Sequence, residues 1–387
     1  MIRAWAASVR AAADRLDWDF LGRMLPRATV FGLFVGWALT ITTSRGLSTV
    51  SGGLGGDYPA FYAAGRIVLS GATDHLYDFA TQRAFGAEFP NGGFLPFVYP
   101  PFVAALYAPL ATFGYRTSFA LFNLLSFFSL FASVRLLWPI SPTIRRNSWL
   151  VLAGLFFFYP VLRGILGGQN TALSLLVVCG TWRLFYAERG VAAGLVLSVL
   201  SCKPQYLLPV VGAVFMARRF DAVLGVVCGM GVFYAAGAWI SGWGWPIDWL
   251  GTARAFAVVD AQSNMANSVS LGQIPHLLGF PNGWIPMSLA LSIWVAWVAW
   301  KGRRGDFVVV LGISQVAALL IAPHAMYYDL GIAAPAILLL ADRGRPRAAA
   351  WLWLGSASQF FAQTLVLSPV ILVLAILLLL LRRELHE

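Results

Sequence analysis

Residues 28–44, ATVFGLFVGWALTITTS, form an uncharged apolar block, and similar blocks of roughly twenty residues recur along the whole chain. The 387-residue sequence is 59% hydrophobic and 11% charged, whereas soluble chains carry about 25% charged residues. A soluble core cannot hide this excess of apolar side chains. Because short arginine-bearing loops separate the blocks, the sequence predicts an all-α polytopic membrane protein with a single membrane domain over residues 1–387.

Arginines set the predicted orientation of the chain. Five of them precede the first block: Arg3, Arg10, Arg15, Arg23 and Arg27. The positive-inside rule therefore places segment 1–27 in the cytoplasm and makes the two long stretches 45–97 and 241–283 extracytoplasmic loops. Later basic loops and the C-terminus fall on the cytoplasmic side. The net charge of +11 thus indicates topology, and membrane lipids rather than nucleic acid are the expected partners.

Proline interrupts two of about 10–12 expected membrane segments. The segment 99–114 is short and proline-broken, so we expect it not to cross. The segment 191–217 is interrupted at Lys203-Pro204, and we expect it to cross out and back beside a cavity. In the first loop, Tyr58 to Leu69 shows helical spacing, which predicts a short helix on the membrane surface. The three cysteines lie in apolar segments without CxxC spacing, so no metal site is predicted.

Five polar clusters fall on the extracytoplasmic side of this topology. They are Gly56-Asp57-Tyr58, Tyr99-Pro100-Pro101, Arg163 with Gly167-Gly168-Gln169-Asn170, Lys203-Pro204, and Pro323-His324 with Tyr327-Tyr328-Asp329. Charged groups within spans cost several kcal/mol and usually mark a site or an internal pair. Ordinary explanations stay open for each cluster: Asp57 could cap a helix, Arg163 and Lys203 could extend to the interface, His324 could pack in the core, and Gln169-Asn170 could close a turn.

The clusters favour one-step displacement chemistry. Asp57 would take a proton from an acceptor hydroxyl, while Arg163, Lys203 and His324 would bind a departing phosphate. The paired carboxylates of a retaining or hydrolytic glycosidase are missing from these clusters. Nucleotide sugars are made in the cytoplasm, so a sugar carried on polyprenyl phosphate, which reaches the site from the bilayer, is the donor that fits an extracytoplasmic site.

The ordered motifs also resemble a known family. Gly56-Asp57-Tyr58 is followed by Phe61-Tyr62, Leu76-Tyr77 and Phe97 to Pro101, then by Gly168-Gln169-Asn170, Lys203-Pro204, and Pro323-His324 to Tyr328-Asp329. This order resembles glycosyltransferase family 87 over most of the chain. The resemblance implies a GT-C-type helical bundle and an inverting transfer of a hexose, most often mannose, from a polyprenyl-phosphate sugar. The acceptor would be a hydroxyl of a glycolipid or glycan at the outer face of the bacterial inner membrane.

The resemblance also implies roles for residues. Asp57 matches the catalytic aspartate, His324 matches a histidine placed near the donor phosphate, and Lys203 matches a basic position of the family. Together with the clusters, this gives the expected substrate-binding residues Tyr58, Tyr62, Tyr99, Arg163, Gln169, Asn170, Lys203, Tyr328 and Asp329. The aspartate pair common in other GT-C enzymes is Asp57-Tyr58 here, so neither a divalent metal nor another cofactor is expected.

A transporter or flippase of lipid-linked sugars is the main alternative, because broken helices and intramembrane charges also occur in carriers. Two features count against it. No internal repeat is evident in the sequence, and the polar clusters lie on one predicted side only. A structural membrane subunit is a third possibility, which the combination of Asp57, Lys203 and His324 disfavours.

Overall fold

The computed structural model describes residues 18–43, 48–49, 52–53, 55–86, 94–364 and 367–385. Most of the predicted cytoplasmic segment 1–27, together with parts of the loop 45–97, lies outside the described residues. The first half of the described chain contains helices α1 Trp18–Thr43, α2 Tyr58–Ser70, α3 Phe79–Gly86, α4 Pro101–Ala111, α5 Tyr115–Leu137, α6 Pro142–Phe157, α7 Tyr159–Gly167, α8 Thr171–Tyr186 and α9 Gly190–Leu197. Strands β1 Ser48–Thr49 and β2 Gly52–Gly53 pair antiparallel between α1 and α2.

The second half continues as helices. They are α10 Pro204–Met216, α11 Phe220–Ser241, α12 Trp245–Ser263, α13 Gln273–Leu277, α14 Trp284–Lys301, α15 Phe307–Ile321, α16 Ala334–Asp342, α17 Pro346–Ser356 and α18 Val370–Glu384. Short 3-10 helices join several of them, among them Ser198–Cys202, Met265–Asn267 and Tyr327–Ala333.

The helices confirm a polytopic membrane protein. Among the described residues, α5, α11 and the helical stretch Pro281–Arg304 are long and apolar enough to cross a bilayer. The pair α6 and α7 would make a fourth span, bent by 61°. Fewer full-length spans are found than the predicted 10–12 segments, because prolines and 3-10 turns divide many of the apolar blocks into shorter helices.

Both predicted interruptions are present, and a third was not predicted. Helix α4 has 11 residues and is therefore about 16 Å long, too short for a bilayer core of about 30 Å. The segment 191–217 divides into α9, a 3-10 helix and α10, with Lys203 at the break. The third interruption is in the apolar run 148–166, which bends at Phe158, where Tyr159-Pro160 starts a new helix.

Helix α2 forms where the spacing predicted it, and the rest of the protein encloses most of it. Eight of its 13 residues are buried, and it packs against α4. A Cβ added at Gly65 would lie 3.0 Å from the Tyr107 carbonyl oxygen, so glycine permits this close approach. The ring of Phe61 stacks on Tyr107 with centroids 4.6 Å apart. Aromatic packing therefore holds this helix inside the protein.

The second predicted loop, 241–283, is largely helical. Helix α12 crosses back over the first loop, where the Trp249 indole donates to the Val98 carbonyl at 2.9 Å and the Thr252 hydroxyl donates to the Tyr77 carbonyl at 3.3 Å. Further on, the Val269 amide donates to the Ala325 carbonyl at 2.8 Å. These contacts join the two predicted loops to the segment that carries His324.

Candidate active site

Backbone contacts place Asp57 against the end of α7. The Gly55 amide donates to the Leu166 carbonyl at 2.7 Å, and the Asp57 amide donates to the Gly167 carbonyl at 2.9 Å. Gly168 has φ +77, and a Cβ there would lie 2.5 Å from Tyr58 Cβ. Only glycine combines this left-handed conformation with so close an approach. The Gly-Gly-Gln sequence therefore brings Gln169 beside Asp57.

The Asp57 carboxylate does not cap the helix that follows it, since α2 has no side-chain cap hydrogen bond. Asp57 Oδ2 instead accepts a hydrogen bond from Gln169 Nε2 at 2.7 Å. Gln169 Nε2 also lies 3.2 Å from the Tyr328 hydroxyl, and the Tyr99 hydroxyl donates to Gln169 Oε1 at 3.5 Å. One buried amide thus connects three of the predicted clusters.

A cavity opens over Asp57, with an empty volume of ≈ 760 Å³ that includes the open space at its mouth. Its lining consists of Asp57, Ala60, Phe61, Leu95, Pro96, Val98, Tyr99, Gln169, Phe256, Asn264, Asn267, His324, Met326, Tyr327 and Tyr328. Five of the predicted site residues lie in this lining: Asp57, Tyr99, Gln169, His324 and Tyr328. Burial raises the pKa of Tyr99, so its hydroxyl stays neutral and can donate a hydrogen bond.

Lys203 and Asp329 form a buried ion pair beside the cavity rather than part of its lining. Lys203 Nζ lies 2.5 Å from Asp329 Oδ1, and the two residues are 4% and 5% exposed. The other carboxylate oxygen accepts from the Tyr206 hydroxyl at 2.7 Å and from the Met326 amide at 3.2 Å. A charge in such an environment needs a partner, and here each residue supplies one for the other.

His324 reaches the cavity from the segment that this ion pair fixes. Its carbonyl oxygen lies 3.5 Å from both Gln205 Nε2 and the Tyr206 hydroxyl. Its imidazole packs edge-on to the Phe256 ring of α12, with centroids 6.4 Å apart. The imidazole is therefore held at the cavity wall between α10 and α12.

Arg163 hydrogen-bonds to a residue of the cavity wall. Its Nε donates to the Tyr327 hydroxyl at 3.4 Å, and Tyr327 lines the cavity. The Tyr159 ring lies beside the Tyr327 ring, with centroids 5.9 Å apart. Arg163 thus supports the wall instead of forming it.

The structure places three predicted binding residues away from the cavity. The Tyr58 hydroxyl lies 2.6 Å from Ser118 Oγ, and the Tyr62 hydroxyl donates to the Phe113 carbonyl at 2.9 Å. Burial raises the pKa of Tyr58. Asn170 is buried at the start of α8, where its carbonyl accepts from the Ser174 amide at 2.9 Å. All three side chains are enclosed by the protein.

Several contributors were not assigned to the site from the sequence. Asn264 and Asn267 bring two amides into the lining from the second predicted loop, and Phe256 supplies an aromatic face. Tyr206 binds the buried Asp329. Amides within an otherwise apolar chain were a usable signal for the two asparagines. The position of α12 over the first loop was not readable from local sequence.

The cavity therefore offers one carboxylate, an imidazole, amides and tyrosine rings, a set suited to polar ligands with hydroxyl groups. Among the described residues, no group of three or more His, Cys, Asp or Glu side chains could hold a metal ion.

Comparison with known proteins gives one family. No curated protein and no solved structure matches the chain. The model of glycosyltransferase family 87 matches residues 97–326, which include Gln169, Lys203 and His324 and cover more than half of the chain. This protein belongs to glycosyltransferase family 87.

Proposed function

We propose that the protein transfers a hexose, with mannose as the first candidate, from a polyprenyl-phosphate sugar to a hydroxyl group of a glycolipid or glycan. The transfer inverts the anomeric carbon. It takes place at the outer face of a bacterial inner membrane, with both termini of a GT-C-type bundle in the cytoplasm. The observation that carries the proposal is the Asp57 carboxylate, which lines an open cavity and accepts a hydrogen bond from Gln169.

The reaction proceeds in one displacement. The acceptor oxygen attacks the anomeric carbon while Asp57 takes the hydroxyl proton as a general base. The bond from the anomeric carbon to the phosphate oxygen breaks, and its electron pair leaves with the polyprenyl phosphate. His324 lines the same cavity. In the proposed reaction it stabilises the charge that develops on this phosphate. The lipid-linked sugar is the co-substrate. The proposal includes no cofactor or metal, because Tyr58 stands where other GT-C enzymes have the second aspartate of a pair.

The buried ion pair has a supporting role in this mechanism. Lys203 and Asp329 neutralise each other, and Asp329 also holds the Met326 amide. They therefore keep His324, Tyr327 and Tyr328 in place rather than bind substrate directly. The amides of Asn264 and Asn267 are suited to hydrogen bonding with sugar hydroxyls, because an amide both donates and accepts.

Membership of a glycosyltransferase family supports transfer over the alternative of a carrier for lipid-linked sugars. A general base has no use in a protein that only moves its ligand. Reconstituted protein separates the two functions, since transfer requires an acceptor and yields a new glycoside, whereas a carrier moves intact donor across the bilayer.

The test is the Asp57→Asn variant with a synthetic polyprenyl-phosphate mannose and extracted membrane glycolipids as acceptors. Removing the base is expected to lower turnover by about 10²–10⁴-fold, measured as radiolabelled product. Asp78→Asn is the matched control, because the exposed Asp78 side chain hydrogen-bonds to Ala80 and Thr81 at the start of α3 and lies outside the cavity lining. This control should stay within about twofold of wild type. Equal turnover by Asp57→Asn and wild type overturns the role of Asp57, and donor movement without product favours the carrier.

A further inference from the structure

A second cavity begins beside His324 and runs along the outside of the bundle. It has an empty volume of ≈ 1000 Å³ and lies between α10, α14 and the end of α15. Its walls are almost entirely apolar, with Leu208, Phe215, Trp284 and Val295 among them. We call this cavity the α10–α14 groove.

The groove has lining residues next to those of the cavity that Asp57 lines, which we call the reaction cavity. Pro323 lines the groove and the next residue, His324, lines the reaction cavity. Gln205, at the other side of the groove mouth, points its Nε2 to the His324 carbonyl at 3.5 Å. Any chain lying in the groove with its end at Gln205 would therefore present that end to the His324 side of the reaction cavity.

We propose that the α10–α14 groove binds the isoprenoid chain of the lipid-linked donor, with the phosphate at the His324 end. The proposal rests on the proposed function and specifies where its donor lies. The apolar wall of this groove suits a long hydrocarbon chain, because burying apolar surface is favourable and requires no directional contacts. The one polar end of the groove is the end that adjoins the reaction cavity.

A comparison with another groove shows why continuity matters. An apolar groove with an empty volume of ≈ 660 Å³ lies between α6 and α16, lined by Leu150, Gly154, Leu338 and Trp353 among others. None of the side chains that line it belongs to the reaction cavity. In the α10–α14 groove, by contrast, Pro323 directly precedes His324 and Gln205 contacts the His324 carbonyl.

Small residues keep the α10–α14 groove open at its middle. A Cβ added at Gly212 would have no atom of the described residues within 4 Å. Gly212 lies seven residues after Gln205 on α10, about 10 Å along the helix at 1.5 Å per residue. A bulky side chain at this position fills the groove without a clash, and leaves room at the mouth for a short chain only.

The test compares Gly212→Trp with a matched control, Gly231→Trp. Gly231 is also an exposed glycine within a helix with no neighbour within 4 Å among the described residues, and it does not line the groove. Donors with a full polyprenyl chain and with a single isoprene unit are supplied in separate assays. The expected result is a KM for the long-chain donor raised at least tenfold in Gly212→Trp only, with the KM for the short donor unchanged.

Each other outcome has a defined meaning. Equal effects on both donors, or no effect on either, overturn the proposal. The groove would then be an ordinary contact surface for membrane lipids. If wild type transfers sugar from neither donor, the proposed function is wrong. Lipid binding by the groove is then tested on its own, with polyprenyl phosphate that carries no sugar. Native mass spectrometry from detergent should then show the bound lipid in wild type and Gly231→Trp and its loss in Gly212→Trp. Retention in Gly212→Trp overturns the proposal.

Discussion

Two aspartates lie at or near the reaction cavity, and they differ in burial and in hydrogen-bond partners. Asp57 lines the cavity and accepts a hydrogen bond from the neutral amide of Gln169. Asp329 is 5% exposed and is bound by an ammonium group, a phenol and a backbone amide. Both residues stand in motifs that resemble the family pattern, and the sequence predicted a catalytic role for Asp57 and a substrate-binding role for Asp329.

The difference indicates which carboxylate can act as a general base. A general base must reach the proton that it takes and must keep a lone pair for it. Asp57 borders open space, whereas the oxygens of Asp329 are occupied by three donors and enclosed by protein. We therefore assign Asp57 to the reaction and Asp329 to the stability of the segment 323–329.

The largest expected effect is the loss of stability in Asp329→Asn. Neutralising one member of a buried pair leaves the Lys203 ammonium uncompensated, which typically costs about 3–5 kcal/mol. The free energy of unfolding, measured by denaturation in detergent micelles, should fall by this amount. Asp57→Asn should lose less than about 1 kcal/mol in the same assay, because Asp57 lines the cavity and the amide oxygen of asparagine can still accept the hydrogen bond from Gln169.

A double variant makes this comparison sharper. Lys203→Met together with Asp329→Asn removes both charges, and the remaining amide can still accept from Tyr206. The double variant should therefore be at least about 1 kcal/mol more stable than the sum of the two single losses predicts. Strict additivity would show that the pair is not coupled and would remove the distinction between the two aspartates.

The next effect is on catalysis, in Gln169→Leu. This change removes the amide that orients Asp57 and contacts Tyr328, and a small displacement of a catalytic group can cost about 10²-fold in rate. We expect kcat to fall by about 10²-fold while the donor KM changes much less. Steady-state kinetics with the polyprenyl-phosphate donor measure both constants. A rise in KM with normal kcat would instead make Gln169 a substrate-binding residue.

The smallest effect is expected in Tyr58→Phe. The Tyr58 hydroxyl pairs with buried Ser118, so its removal should cost about 1–2 kcal/mol of stability. Turnover should not change, because the hydroxyl lies outside the cavity lining. Thermal unfolding and the transfer assay together check this. A tenfold loss of kcat/KM at normal stability would return Tyr58 to the substrate-binding residues.

Much of the site was predictable because it lies in short polar motifs within apolar sequence. Asp57, Gln169 and His324 stood out for this reason, and the structure brings all three to one cavity. The proline breaks at segments 99–114 and 191–217 were equally visible, since proline removes a helical hydrogen bond wherever it stands. The bend at Phe158 was missed because the apolar run continues through it.

Other features depended on partners distant in sequence. Lys203 was expected to bind phosphate, but Asp329, 126 residues away, is 2.5 Å from it. Tyr58 and Tyr62 were expected to bind substrate, yet their hydroxyls contact α5 and the Phe113 carbonyl. Asn264 and Asn267 were visible in the second predicted loop, and only the packing of α12 carries them to the cavity.

The sequence by itself determined that this is a helical membrane protein and where two of its helical segments break, because hydropathy and proline act locally. It also determined the candidate base, since Asp57 is a polar residue in a glycine-rich turn between apolar segments. Only the tertiary structure decided which charged residues face the cavity and which neutralise each other. That choice depends on burial and on contacts between distant segments, since a buried charge is stable only beside its partner.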